Sequence, residues 1–103
     1  MEFVETPVFA KASRDLLRDE ELRQLQAVLL AYPAMGAIIP GSGGLRKIRW
    51  VSGGKGKRGG LRVIYYWIAV DHKIYLLYVY AKSRQEDLTP EQARTLRGLI
   101  EES

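Results

Sequence analysis

The residues best equipped for chemistry in this 103-residue chain are cations gathered into one stretch. Arg46, Lys47, Arg49, Lys55, Lys57, Arg58 and Arg62 stand between residues 41 and 67, with no Asp or Glu among them. Residues 1–40 carry four Lys/Arg against six Asp/Glu, and residues 68–103 five against six, so a whole-chain charge of +4 conceals a +7 segment. A solvated charged face normally mixes both signs. A run of one sign points to a polyanionic partner, the plainer reading being a basic, solvated loop.

Eight of the ten glycines fall between residues 41 and 60, within the same segment. Gly54-x-Gly56-x-x-Gly59 has the spacing of a dinucleotide fingerprint, but that motif needs a helix after it to hold a pyrophosphate, and here a strand pattern follows. A P-loop fails as well, because no Ser or Thr follows a Gly-Lys pair. What remains is a glycine-rich hairpin loop bearing Lys55, Lys57 and Arg58, with Arg46, Lys47, Arg49 and Arg62 on the strands beside it. Cations so arranged can neutralise successive phosphates, and those nearest a rigid strand can be held in a defined pose. Seven of the ten aromatics lie between residues 50 and 80, interleaved with this basic set. Such interleaving suits stacking on unpaired bases, and equally suits core packing of strands. In the run 74–80, alternation puts Ile74, Leu76, Tyr78 and Tyr80 on one face and Tyr75, Leu77 and Val79 on the other, without saying which is wet.

Other chemistries are excluded by composition. The absence of cysteine removes disulfides, thiolate nucleophiles and cysteine-ligated zinc or iron–sulfur centres, and fits a reducing cytosol. A single histidine, His72, argues against paired-histidine ribonuclease chemistry and multi-histidine metal sites. No apolar run reaches the ~18–20 residues of a membrane span, and the opening Met-Glu-Phe-Val-Glu lacks a basic signal-peptide region. The expected address is the cytoplasm, with no membrane partner.

The elements that must position these cations read as β-α-α-β-β-β-α, in one domain over residues 1–103. Phe3–Glu5 suggests a short strand, and Thr6-Pro7 an N-cap with proline in the first turn. Asp19, followed by Glu20 and Glu21, predicts a second helix start, which Pro33 and Gly36 stop. Leu45–Val51, Leu61–Val70 and Ile74–Ala81 predict an antiparallel meander, with a loop over 52–60 and a turn at Asp71-His72-Lys73. Thr89-Pro90-Glu91-Gln92 is a capping-box pattern, with Leu88 and Ala93 placed as a hydrophobic staple. These elements predict an α+β domain, its helices packed on one face of a mainly antiparallel sheet.

The stretches Gly-Gly-Leu-Arg-Lys-Ile-Arg-Trp, Gly-Lys-Gly-Lys-Arg-Gly-Gly-Leu-Arg-Val-Ile-Tyr-Tyr-Trp and Leu-Leu-Tyr-Val-Tyr-Ala-Lys, with Asp87-Leu88-Thr89 following, resemble the HigB branch of the RelE/ParE toxin superfamily. The resemblance runs from about residue 3 to 101. It implies a RelE-like fold and a type II toxin–antitoxin system, in which the toxin cleaves messenger RNA in the ribosomal A site. It further implies a cognate HigA-like antitoxin with a helix-turn-helix domain, contact with DNA only through the antitoxin complex, and no metal or organic cofactor. Carried over by motif, the catalytic-type cations fall on Lys47, Arg49 and Arg62, with Lys82 and Arg84 competing for a last position. Arg46, Lys55, Lys57, Arg58 and Tyr80 are then RNA- or ribosome-binding residues.

RelE's catalytic tyrosine would fall near Thr89, and this chain has no tyrosine after Tyr80. The proton-transfer group stays open between a lysine, Tyr80 and His72, the last also readable as a turn residue. Two rival functions fit the same pattern: a ParE-like gyrase-inhibiting toxin, and a non-catalytic basic RNA-binding module or inactive toxin remnant. The density of cations on the central strands and loop favours the endonuclease.

Overall fold

A computed structural model describes residues 1–51 and 60–101. Its order is β1 (Glu2–Glu5), α1 (Pro7–Ser13), α2 (Asp19–Ala31), β2 (Ala37–Ile38), β3 (Arg46–Trp50), β4 (Leu61–Ile68), β5 (Lys73–Ala81) and α3 (Pro90–Glu101). The strands form one five-stranded sheet in the order β1-β5-β4-β3-β2. β1 pairs in parallel with β5, and every other neighbour is antiparallel. β2 is too short for any periodic signal, yet it extends the sheet by pairing Ala37 with Lys47 and Ile38 with Arg46. No helix of the described residues is long and apolar enough to cross a membrane.

The helix starts follow from local hydrogen bonding. The Thr6 hydroxyl accepts from Phe9 N at 3.1 Å and donates to Leu76 O at 3.0 Å, so one buried side chain caps α1 and ties it to β5. At α3, Gln92 N donates to Thr89 Oγ1 and Thr89 N donates to Gln92 Oε1, both at 3.0 Å, completing the expected box. The start of α2 differs by one residue. Arg18 occupies the N-cap and Asp19 is the first helical residue, because Glu21 reaches back to accept from Arg18 N at 3.2 Å. That bond satisfies the amide of the capping residue itself, whereas the amides of the first turn receive no acceptor from the Arg18 side chain.

The helices cover both faces of the sheet, which corrects the expectation of a single covered face. Phe9 of α1 and Leu25 and Leu29 of α2 share a core with Ile48, Val63, Tyr65, Ile74 and Leu76. Ala93, Leu96 and Ile100 of α3 belong to a second core with Leu45, Ile64, Tyr75, Leu77 and Tyr80. β4 and β5 carry near-continuous apolar runs rather than a one-sided alternation, and strands of that kind have to be covered on both sides. Arg97 fixes α3 laterally: its guanidinium lies 4.8 Å from the centre of the Tyr66 ring, and its Nε donates to Gly43 O at 3.2 Å.

A bulge in β5 decides which side chains face α3. Tyr65 stands opposite Leu76 and Ile64 opposite Tyr78, so Leu77 is an extra residue in the ladder. Before the bulge, Ile74 and Leu76 face α1 and α2; after it, Val79 and Ala81 do. Tyr78 and Tyr80 therefore join Tyr75 on the α3 side, not Ile74 and Leu76 as strict alternation requires. Their rings lie 5.8 Å apart between centres.

Candidate functional site

Strand pairing brings the basic residues of β3 and β4 into a cross-strand row. Arg49 is directly opposite Arg62, and Arg62 directly opposite Tyr80. Ile48, Trp50, Leu61 and Val63 pack toward α1 and α2, so alternation sends Arg49 and Arg62 to the α3 side, where Tyr80 also lies. One ladder step along the same face comes Lys47, opposite Ile64. Directly opposed like charges cost a sheet roughly 0.2–1 kcal/mol, so the Arg49–Arg62 pair is not explained by sheet stability.

Burial differs sharply along the row. Arg49 is exposed, whereas Arg62 is only 5% exposed and donates through Nη1 to Leu61 O at 3.2 Å. A buried guanidinium on a central strand is a charge held in a fixed place. Tyr80 stands beside it on β5, 4% exposed, and its hydroxyl makes no hydrogen bond of ordinary geometry among the described residues. Burial, and after it the negative charge of Asp87, pushes the Tyr80 phenol above its ordinary range, while Arg62 and the Leu88 backbone act in the opposite sense. Tyr80 is thus a neutral phenol at physiological pH.

Asp87 is the residue that sequence reasoning missed. Its Oδ1 stands 3.2 Å from Lys47 Nζ, which joins the link between β5 and α3 to the middle of β3. Lys47 and Asp87 meet at a cleft of about 330 Å³ whose remaining walls are Ala37, Ile38, Ile39, Pro40 and Leu88. Asp87 falls in no periodic pattern. Only the strand order and the return of the chain across the sheet bring it to Lys47.

The other predicted residues separate. Arg46 lies on the opposite face, where its Nη1 donates to Gly36 O at 2.8 Å and Ala34 O at 3.2 Å; there it clamps the connection between α2 and β2. Lys82 and Arg84 occupy the exposed turn after β5. Lys82 N donates to Gly60 O at 3.2 Å, which holds that residue at the Arg62 end of the sheet. Arg84 instead lines a groove with Lys11 of α1 and Asp15 of the turn that follows it. Lys55, Lys57 and Arg58 lie outside the described residues. His72 sits in the β4–β5 turn with a left-handed φ of 53°. At ~3.3 Å per residue, the six positions from Arg62 to Ile68 already span about 20 Å, so His72 cannot serve as the proton-transfer group of this row. Among the described residues, no three His, Cys, Asp or Glu side chains gather as a metal site.

No family model matches this chain. Among solved structures it resembles the free E. coli toxin RelE, in a variant with two arginines replaced by alanine. That likeness has a TM-score of 0.58 and 20% identity, and covers 82% of this chain and 86% of the other. The intact E. coli RelBE toxin–antitoxin complex matches with the same TM-score and identity over 76% of this chain and 92% of the other. The mixed, mostly antiparallel five-stranded sheet with its three helices is accordingly the RelE fold.

Proposed function

We propose that this protein is the toxin of a type II toxin–antitoxin system, of the HigB-like branch, and an endonuclease that cleaves messenger RNA on the ribosome. The observation that carries this reading is the row of Arg49 and Arg62, with Lys47 beside it, on one face of a sheet with the RelE fold. RNA cleaves itself when its 2′-hydroxyl is deprotonated and aligned with the adjacent phosphorus. The protein has to hold the backbone in that alignment and neutralise the charge that develops on the phosphoryl oxygens. Arg62, buried and fixed, is suited to the second task; Arg49 and Lys47, more accessible, are suited to the first. This chemistry calls on no metal or organic cofactor.

The partners that go with this reading are the ribosome and its message, and a HigA-like helix-turn-helix antitoxin, all in the cytoplasm. Lys82, held by its backbone at the Arg62 end of the sheet, fits the last cationic position better than Arg84, which lies toward α1. The test is a translation reaction programmed with a defined message. Cleavage that appears with ribosomes and is absent from free RNA supports the proposal. Growth inhibition with intact messages and a gyrase defect would overturn it in favour of the ParE-like alternative.

A further inference from the structure

A row of arginine and lysine supplies charge stabilisation, and cleavage from the 2′-hydroxyl also needs a group that removes a proton; Lys47, the lysine of the row, directs its ammonium to Asp87. His72 is at the wrong end of the β4–β5 hairpin. Tyr80 is a neutral, buried phenol, and its hydroxyl does not reach the surface. Asp87 meets the requirement that both fail. It is a carboxylate, its side chain is 74% exposed, and Lys47 holds its Oδ1 at 3.2 Å on the same sheet face as the arginine row. The adjoining cleft of about 330 Å³ has Ile38, Ile39 and Pro40 along its wall, an apolar surface against which a sugar and base can rest.

We propose that Asp87 is the general base of the reaction, oriented by Lys47 and working opposite the charge-stabilising pair Arg49 and Arg62. The proposal rests on the reading of this protein as an RNA endonuclease. In the step, the Asp87 carboxylate takes the proton of the ribose 2′-hydroxyl. The 2′-oxygen forms a bond to the adjacent phosphorus as the bond from phosphorus to the 5′-oxygen breaks. That 5′-oxygen takes a proton from water, and the hydroxide left behind is neutralised by the proton on Asp87, which restores the carboxylate. The products are a 2′,3′-cyclic phosphate and a 5′-hydroxyl end.

An ion pair this exposed contributes little to stability, so a purely structural Lys47–Asp87 contact and a catalytic one make different predictions. Single-turnover cleavage on programmed ribosomes, measured across pH for the unaltered protein, Asp87→Asn and Asp87→Glu, separates them. Asp87→Asn is expected to lower the cleavage rate at saturating protein by roughly 10²–10⁴-fold. Ribosome affinity and melting temperature should stay within twofold and a few degrees, and the decline in rate on acidification should disappear. Asp87→Glu should restore part of the rate. An Asp87→Asn protein that cleaves at full rate would overturn the assignment of the base while leaving the endonuclease reading intact. So would a loss of rate that merely tracks lost ribosome binding or an unchanged pH profile. Absence of cleavage by the unaltered protein would instead overturn the reading beneath both.

Discussion

Replacing Tyr80 by phenylalanine should stabilise the free protein while impairing it. The Tyr80 hydroxyl is buried and without a hydrogen bond of ordinary geometry among the described residues, in a side chain otherwise packed with Ile64, Leu77 and Leu96. Leaving such a group unsatisfied costs about 1–3 kcal/mol, because its bonds to water are lost and nothing replaces them. Phenylalanine keeps the ring and removes the orphaned oxygen. Allowing for the small void left behind, the expected gain is about 1 kcal/mol, which lifts Tm by roughly 4–8 °C in a domain near this size. The counterpart is functional: Tyr80 stands opposite Arg62 in the ladder and its phenol interacts with that guanidinium, so Tyr80→Phe should disturb the placing of Arg62 and slow cleavage. Thermal and urea denaturation of the two proteins, beside the ribosome cleavage reaction, measure both effects. A Tyr80→Phe protein less stable than its parent would refute the reasoning, since it would mean that the hydroxyl is satisfied in the folded protein.

Alkaline titration offers a related measurement. Burial raises the phenols of both Tyr65 and Tyr80, so between the unfolded and folded values the folded state holds more protons; stability is full below about pH 10 and falls as pH rises beyond it. Tyr80→Phe should flatten that fall, which denaturant midpoints from pH 8 to 11 can follow. Arg62→Ala should abolish growth inhibition on expression, with a near-native far-UV spectrum as the control; undiminished toxicity would remove Arg62 from the mechanism. Gly36→Ala places a Cβ 2.7 Å from Tyr65 Cε1 and 2.8 Å from its hydroxyl. It should destabilise the fold by about 1–3 kcal/mol, read from urea midpoints.

The elements that local chemistry dictates were legible in the sequence. Thr6-Pro7 and Thr89 with Gln92 start helices where their side chains can bond the orphaned amides. The basic residues of β3 and β4 likewise mark out a candidate site, and the ladder puts Arg49 opposite Arg62. What could not be read depends on facts that have no local trace. The extra residue at Leu77 reverses the alternation of β5 and carries Tyr78 and Tyr80 to the α3 face. Arg46 and Lys47 are adjacent in sequence and similar in charge, yet pleating sends one to clamp backbone carbonyls and the other to Asp87. Asp87 itself is invisible until the link between β5 and α3 is seen to cross toward β3.

β1 has a consequence for the condensed behaviour of the protein. Glu2–Glu5 pairs in parallel with the Lys73–Leu76 end of β5, and Thr6 bonds the same strand. β5 is nine residues long and rich in Tyr, Leu and Val, the composition of a strand that would template aggregation if its edge were bare. The short β1 closes the Lys73–Leu76 part of that edge and presents exposed Glu2 and Glu5 in its place. Loss of those few residues would therefore leave the folded sheet with an apolar edge open to another copy, and the damage would show as self-association before it showed as unfolding.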